Sequence, residues 1–172
     1  GQLLKNVHLV ACECIVKGLI QLGLMRGDPK AAVEAGAHTV FFQCGLGHMM
    51  GLDVHDMENL GEEYVGYTED LKQSTEFGFK SLRLGKALEP GMVLTVEPGI
   101  YMIPELIELR KSQKMHLEFI NYDKVESYKN FGGIRIEDDF LITSQGSRLL
   151  GDSLPTASNE IEEFRMSKVE AN

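Results

Sequence analysis

The sequence predicts an α+β domain, with a mostly antiparallel, curved sheet flanked by helices. Three observations carry that prediction. The first 24 residues and the stretch from Pro104 to about Phe131 repeat apolar residues at helical spacing. Short runs rich in β-branched residues lie between them, at Thr39 to Phe42, Met92 to Val96 and Gly132 to Thr143. Glycine, proline and serine clusters such as Glu89-Pro90-Gly91 and Ser144-Gln145-Gly146-Ser147 flank those runs as turn signals.

In chain order, Leu3, Val7, Val10, Cys14, Leu19 and Leu22 mark a helix from Gln2 to about Leu24. Arg26-Gly27-Asp28-Pro29 breaks it. Asp28 followed by Pro29 makes an N-cap and first-turn pair for a second short helix through Ala35, which Gly36 stops. Cys12 and Cys14, two apart on a helix, point in different directions and read as packed thiols. His8, on the same helix, reads as a core or surface histidine. Thr39-Val40-Phe41-Phe42 is predicted as a strand. The polar, acidic block from Glu58 to Phe77 reads as a solvated surface excursion, and Phe79 to Leu84 as one or two helical turns before the turn Glu89-Pro90-Gly91.

Met92 to Val96 is the clearest strand, and Pro98 holds Glu97 in an extended conformation at its end. Pro104 to Phe131 reads as an inserted pair of short helices or a lid. From Gly132 to Thr143 the chain alternates, with Ile134 and Ile136 on one face and Arg135 and Glu137 on the other. Ser144-Gln145-Gly146-Ser147 is a hairpin turn, and Ser158 to Lys168 a terminal acidic helix.

Composition narrows the functional classes. A length of 172 residues, 43% hydrophobic, suits one compact domain. The net charge of −9, from 26 acids and 17 bases, without a lysine or arginine stripe, disfavours nucleic acid as a partner. Three cysteines, an odd number, do not form a disulfide framework and point to a reduced, cytoplasmic compartment. No apolar run has the length of a membrane span, so no membrane partner is expected. The chain starts at Gly1 rather than methionine, which reads as a cut end or a cloning remnant.

Chemistry concentrates in Cys44-Gly45-Leu46-Gly47-His48-Met49-Met50-Gly51-Leu52-Asp53-Val54-His55-Asp56, where glycines let the backbone turn and two imidazoles sit seven residues apart. Glu97 and Glu137, each on a short strand, add two carboxylates. A histidine with two carboxylates on rigid strands is a donor set for a hard or borderline divalent metal.

These segments resemble a known family. Gly45-Leu46-Gly47-His48, Leu52-Asp53-Val54-His55-Asp56, the run from Pro90 to Tyr101 and Gly132-Gly133-Ile134-Arg135-Ile136-Glu137-Asp138-Asp139 are similar to the motifs of the pita-bread (creatinase/aminopeptidase-like) metallopeptidases, and within them to the prolidases, or Xaa-Pro dipeptidases. The resemblance covers nearly the whole chain but only the second half of the family's catalytic domain. It therefore implies that residues 1–172 are the C-terminal part of that domain, without its N-terminal domain and first catalytic half. It also implies two divalent ions, Mn, Co or Zn, held by two aspartates, one histidine and two glutamates. By motif position His48, Glu97 and Glu137 are the metal ligands, with Glu97 also handling protons. His55 contacts the substrate carbonyl, Arg135 braces the site, and Arg83 holds the C-terminal carboxylate of a proline-containing dipeptide. The reaction is hydrolysis of the bond before proline, an amide that lacks an N–H.

Two departures qualify the resemblance. The two aspartates belong to a segment upstream of Gly1, so this chain is expected to be a fragment, inactive alone and able to exist without metal. Cys44 stands where the family has a substrate-lining histidine. The alternatives are an Xaa-Pro aminopeptidase acting on longer peptides, and a pita-bread protein that binds other proteins without metal. Arg83 and the insert between Tyr101 and Gly132, a candidate wall for the site, favour the dipeptidase. Self-association through surfaces left by the missing half is also expected.

Overall fold

The structure is a computed structural model and describes residues 1–169. Helix α1 spans Leu4–Gln21 and packs on α2, Pro29–Glu34. Asp28 caps α2 by accepting from the Ala31 N–H, and Gly36 leaves it with φ of 74°. Both are as the sequence predicts. The buried face of α1 is not the predicted one: Leu4, His8, Cys12, Val16 and Leu19 point inward, while Val10, Cys14 and Leu22 are exposed. The inward ridge follows the i, i+4 row, and two of its members are polar, so a count of apolar residues rotates the face away from it.

The predicted strand at Thr39 to Phe42 is absent. Ala37–Val40 form a 3₁₀ turn instead, because the Gly36 carbonyl accepts both the Thr39 N–H and its hydroxyl. Phe41 and Phe42 are buried as a strand would bury them, and the Phe41 carbonyl accepts from the Tyr101 N–H. Burial is what their composition encodes, and the local side-chain bond decides the backbone. Residues 58–77 are mostly exposed and hold a 3₁₀ turn at Glu58–Leu60 and the short helix α3, Glu62–Val65. A further 3₁₀ turn covers Phe79–Ser81.

Every strand pairing is antiparallel. Strands β1 (Val93–Val96), β4 (Asp138–Thr143) and β5 (Gly146–Leu149) form one sheet in the order β1-β4-β5, and β2 (Gly99–Tyr101) pairs with β3 (Gly133–Arg135). The alternating stretch from Gly132 is therefore two strands, divided at Ile136-Glu137 as the chain passes from β2 to β1. The registers Gly99↔Arg135 and Val96↔Asp138 set Arg135 and Glu137 beside the Glu97-Pro98 corner.

The insert forms α4 (Pro104–Ser112) and α5 (Tyr122–Glu126). These helices are not a lid: Ile107, Ile120, Tyr122 and Val125 are buried with Val16, Leu19 and Phe41 in the larger apolar core. A smaller core of Leu4, Leu46, Leu84 and Leu94 lies beneath β1. The terminal helix α6, Ser158–Val169, has no buried residue. No helix among the described residues is long and apolar enough to cross a membrane.

Candidate active site

The glycine-rich segment lies alongside β1 and is anchored to it at three levels. The Glu97 N–H donates to the Leu46 carbonyl (2.7 Å), the Thr95 N–H to the His48 carbonyl (3.0 Å), and the Met50 N–H to the Val93 carbonyl (3.0 Å). Gly47 makes this approach possible, since a Cβ there would lie 1.9 Å from the Thr95 carbonyl oxygen. Leu46 and Leu94, neighbours in sequence of Gly47 and Thr95, are buried together in the small core, which fixes the angle at which His48 and Glu97 emerge.

His48 and Glu97 meet as the motif reading expects, with Nε2 3.2 Å from Oε1. The His48 Nδ1 lies 3.0 Å from the Met49 carbonyl, which only accepts, so Nδ1 carries a proton and donates it there. In the neutral ring Nε2 then keeps its lone pair and faces a carboxylate oxygen. Two acceptors at that distance need a cation between them or a proton on the ring. A ring that donates one nitrogen to a backbone carbonyl and offers the other is also the usual arrangement of a metal-ligating histidine. Thr95 completes the setting: its hydroxyl accepts from the His48 N–H (3.1 Å) and donates to Glu97 Oε1 (3.1 Å). Sequence reasoning missed Thr95 as a positioning residue. Its place two residues before Glu97, on the same strand face, was the available signal.

Arg135 stands between the two carboxylates, with Nη1 3.1 Å from Glu97 Oε2 and Nη2 3.4 Å from Glu137 Oε2. Tyr101 first, then Glu97 and Glu137, hold its guanidinium pKa above the ordinary value. Glu137 does not close on His48: among the described residues no three-donor cluster includes these side chains with all ligand atoms within 4.8 Å. Its side chain is 43% exposed and held by Arg135. The donor set thus fits a divalent ion at His48 and Glu97, and Glu137 joins only by turning from Arg135.

The other expected residues converge on the same place. Cys44, Gly45, His48, His55, Arg83 and Arg135, with Glu97, line a cleft of about 320 Å³. The His55 ring lies edge-on to His48, with centroids 4.2 Å apart. Arg83 is held by Glu58 and lies 3.7 Å from Glu62 Oε1 and 3.4 Å from His55 Nδ1, a set of partners the sequence did not suggest. Partial desolvation first, and Glu97 second, raise the Cys44 thiol above its ordinary pKa. No residue of the α4–α5 insert lines the cleft, which removes the insert as its wall. A larger cleft of about 400 Å³, between α1 and α2, contains no histidine or cysteine.

Known proteins share both the sequence and the fold. The profile of metallopeptidase family M24 matches residues 1–144. The Xaa-Pro dipeptidase of Rattus norvegicus is 39% identical over 157 residues, which is 91% of this chain and 30% of that protein. A probable Xaa-Pro aminopeptidase of Botryotinia fuckeliana is 37% identical over 159 residues, 92% of this chain and 32% of its own. Among solved structures, Escherichia coli aminopeptidase P with the inhibitor Pro-Leu superposes with a TM-score of 0.65 at 31% identity, covering 99% of this chain and 30% of that one. The zinc-substituted form of that enzyme with product gives 0.64 at 32% identity, covering 97% and 30%. The chain therefore spans about a third of the length of the relatives it matches.

Proposed function

The chain belongs to metallopeptidase family M24, with the pita-bread fold, and we propose that it contributes to metal-dependent hydrolysis of the Xaa-Pro bond of dipeptides. The observation that carries this reading is the His48–Glu97 pair, in which Nδ1–H is committed to the Met49 carbonyl and Nε2 is offered toward a carboxylate. His48 and Glu97, joined by Glu137, would hold divalent metal of the Mn, Co or Zn type, two ions when the family's two aspartates are also present. Bound metal would supply an activated water and polarise the scissile carbonyl.

The chain's own side chains have separable roles. Glu97 takes and returns the proton moved during attack, and the Thr95 hydroxyl and Arg135 fix its two oxygens. His55, edge-on to His48 and half-exposed, would donate to the substrate carbonyl as negative charge develops on it. Arg83 offers a guanidinium to the substrate's terminal carboxylate, exchanging Glu58 for it, a trade between carboxylates in the same fork geometry. Cys44 borders the cleft. The proline ring removes the amide N–H, so recognition falls on the carboxylate and the carbonyl.

A second reading, an Xaa-Pro aminopeptidase, has support of its own. The two solved structures compared above are of aminopeptidase P, and no residue of the α4–α5 insert lines the cleft. The two are separated by proline release from Xaa-Pro dipeptides against cleavage of Xaa-Pro-Pro tripeptides. The assay uses a polypeptide that joins this sequence to the family's aspartate-bearing segment, with Mn(II). Dipeptide hydrolysis that falls at least 100-fold in Arg83→Met, chiefly through KM, supports the dipeptidase. Preferential tripeptide cleavage, indifferent to Arg83, supports the aminopeptidase. The 172-residue chain assayed by itself is expected to release no product from either substrate.

A further inference from the structure

Outside the cleft, three polar side chains gather in the larger core. His8 and Cys12 are one helical turn apart on α1 and share its inward face, and His38 comes from the 3₁₀ turn that α1 packs against. They are 1%, 0% and 1% exposed. One ligand atom from each lies within 4.8 Å of the other two, the sole cluster of this kind among the described residues. Polar groups so buried ordinarily satisfy one another or the backbone. Here they do not: Nδ1 of His8 and Nδ1 of His38 have no hydrogen-bond partner, and the one polar contact of the His8 ring is Cys12 Sγ, 3.5 Å from Nε2. The other neighbours are aromatic. Phe79 presents its ring edgewise to both histidines, and Phe42 lies 5.6 Å from His8.

We infer that His8, Cys12 and His38 form a buried binding site for a thiophilic d¹⁰ cation, copper(I) or zinc(II), separate from the His48 cleft. The chemistry of the donors selects this class, since thiolate with imidazole suits soft and borderline ions and excludes manganese, magnesium and calcium. The geometry agrees. Metal–nitrogen bonds of about 2.0 Å and metal–sulfur bonds of about 2.3 Å place nitrogen and sulfur donors roughly 3.5 Å apart around a tetrahedral or trigonal ion, and Cys12 Sγ and His8 Nε2 stand 3.5 Å apart. Burial lowers both imidazoles to a pKa of about 4, so they are neutral and able to coordinate at neutral pH. It also raises the thiol to about 12, so the metal-free site holds S–H. Binding breaks that S–H bond, forms the metal–sulfur bond and releases one proton to solvent. Copper(I) with one thiolate leaves the site neutral and needs only three ligands, which suits a dry apolar pocket. Zinc(II) leaves a net positive charge and requires a fourth ligand. In either case the ion staples α1 to the turn at Ala37–Val40, from which the chain runs directly into Cys44 and His48.

The test is metal titration of the 172-residue chain, using Cu(I) under anaerobic conditions against a chromophoric copper(I) chelator, and Zn(II) in a separate arm against a zinc chelator. Wild type is expected to take one equivalent in at least one arm, with a raised Tm and an X-ray absorption spectrum of one sulfur and two nitrogen neighbours. Cys12→Ser and His8→Gln are expected to lose that equivalent and the Tm rise, while Cys14→Ser and the double variant His48→Ala, Glu97→Gln keep both. Far-UV circular dichroism confirms that each variant is folded, and the two single variants at different ligands keep the result readable if one misfolds. Retention in one arm alone identifies the ion. Because zinc can also bind at the His48–Glu97 cleft, the deciding comparison is made in the double-variant background: no stoichiometric binding there in either arm, or binding there that survives the addition of Cys12→Ser in a folded protein, overturns the site.

Discussion

Gly47→Ala is the sharpest structural test of how the cleft is built. The new methyl would sit 1.9 Å from the Thr95 carbonyl oxygen and 2.8 Å from its carbon, whereas ordinary contact begins near 3.4 Å. The obstacle is backbone, so relief requires the glycine segment and β1 to part by about 1.5 Å. That displacement breaks the Thr95 N–H bond to His48, the Glu97 N–H bond to Leu46 and the His48 N–H bond to the Thr95 hydroxyl. At about 1 kcal/mol net for each bond, the loss is about 3 kcal/mol, which for a chain of this size lowers Tm by about 6–12 °C. Gly18→Ala is the control. Gly18 lies inside α1, and a Cβ there would meet no atom within 4 Å, so alanine should stabilise by about 0.5–1 kcal/mol through helix propensity. Urea titration of the two variants beside wild type checks both signs. A Gly47→Ala loss below about 0.5 kcal/mol, less than a single hydrogen bond, would show that the close approach does not hold the segment to β1.

Three other expectations rest on separate parts of the molecule. Tyr67 donates its hydroxyl to the Leu82 carbonyl (2.5 Å), and burial raises its pKa from 10 to about 12. A group raised in the folded state contributes stability that is present below pH 10 and lost as pH rises through 12, worth roughly 2–3 kcal/mol across that window. Denaturant titrations should therefore show wild type losing stability relative to Tyr67→Phe as pH rises from 10 through 12; parallel curves would refute the assignment. Arg135→Met removes the cation between Glu97 and Glu137, and is expected to leave stability within about 1 kcal/mol, as for exposed ion pairs, while changing divalent-metal affinity at the cleft at least threefold, read by calorimetry. Leu52, Val54, Phe131, Ile134 and Ile136 are exposed apolar side chains on the glycine segment and around β3. Self-association should accordingly appear in sedimentation velocity as concentration rises, and a clean monomer at high concentration would count against it.

What the sequence disclosed and what it hid divide along physical lines. Asp28-Pro29, the Gly36 stop and the Ser144-Gln145 turn were legible because their signals are local, set by φ, caps and side-chain bonds within a few residues. Glu97, His48, His55, Arg83 and Cys44 were legible as motif positions, and the fold brings them to one cleft. The buried face of α1 was not, because His8 and Cys12 occupy it and an apolar count passes over them. Nor was the 3₁₀ turn at Ala37–Val40, where one threonine hydroxyl outweighs β-propensity. The placement of Arg135 between Glu97 and Glu137 depends on the β2–β3 register, a long-range fact that alternation alone does not fix.

The central claim, that His48 and Glu97 form a metal-binding pair, is most directly tested by Mn(II) binding to the 172-residue chain followed by electron paramagnetic resonance. Manganese is a hard ion and ignores the His8–Cys12–His38 cluster, so the signal reports the cleft alone. Bound Mn(II) is expected to fall at least tenfold in His48→Ala and in Glu97→Gln, and to be unchanged in Cys12→Ser. Equal binding by wild type and the double variant His48→Ala, Glu97→Gln, or no binding by the wild-type chain at millimolar Mn(II), would contradict the claim.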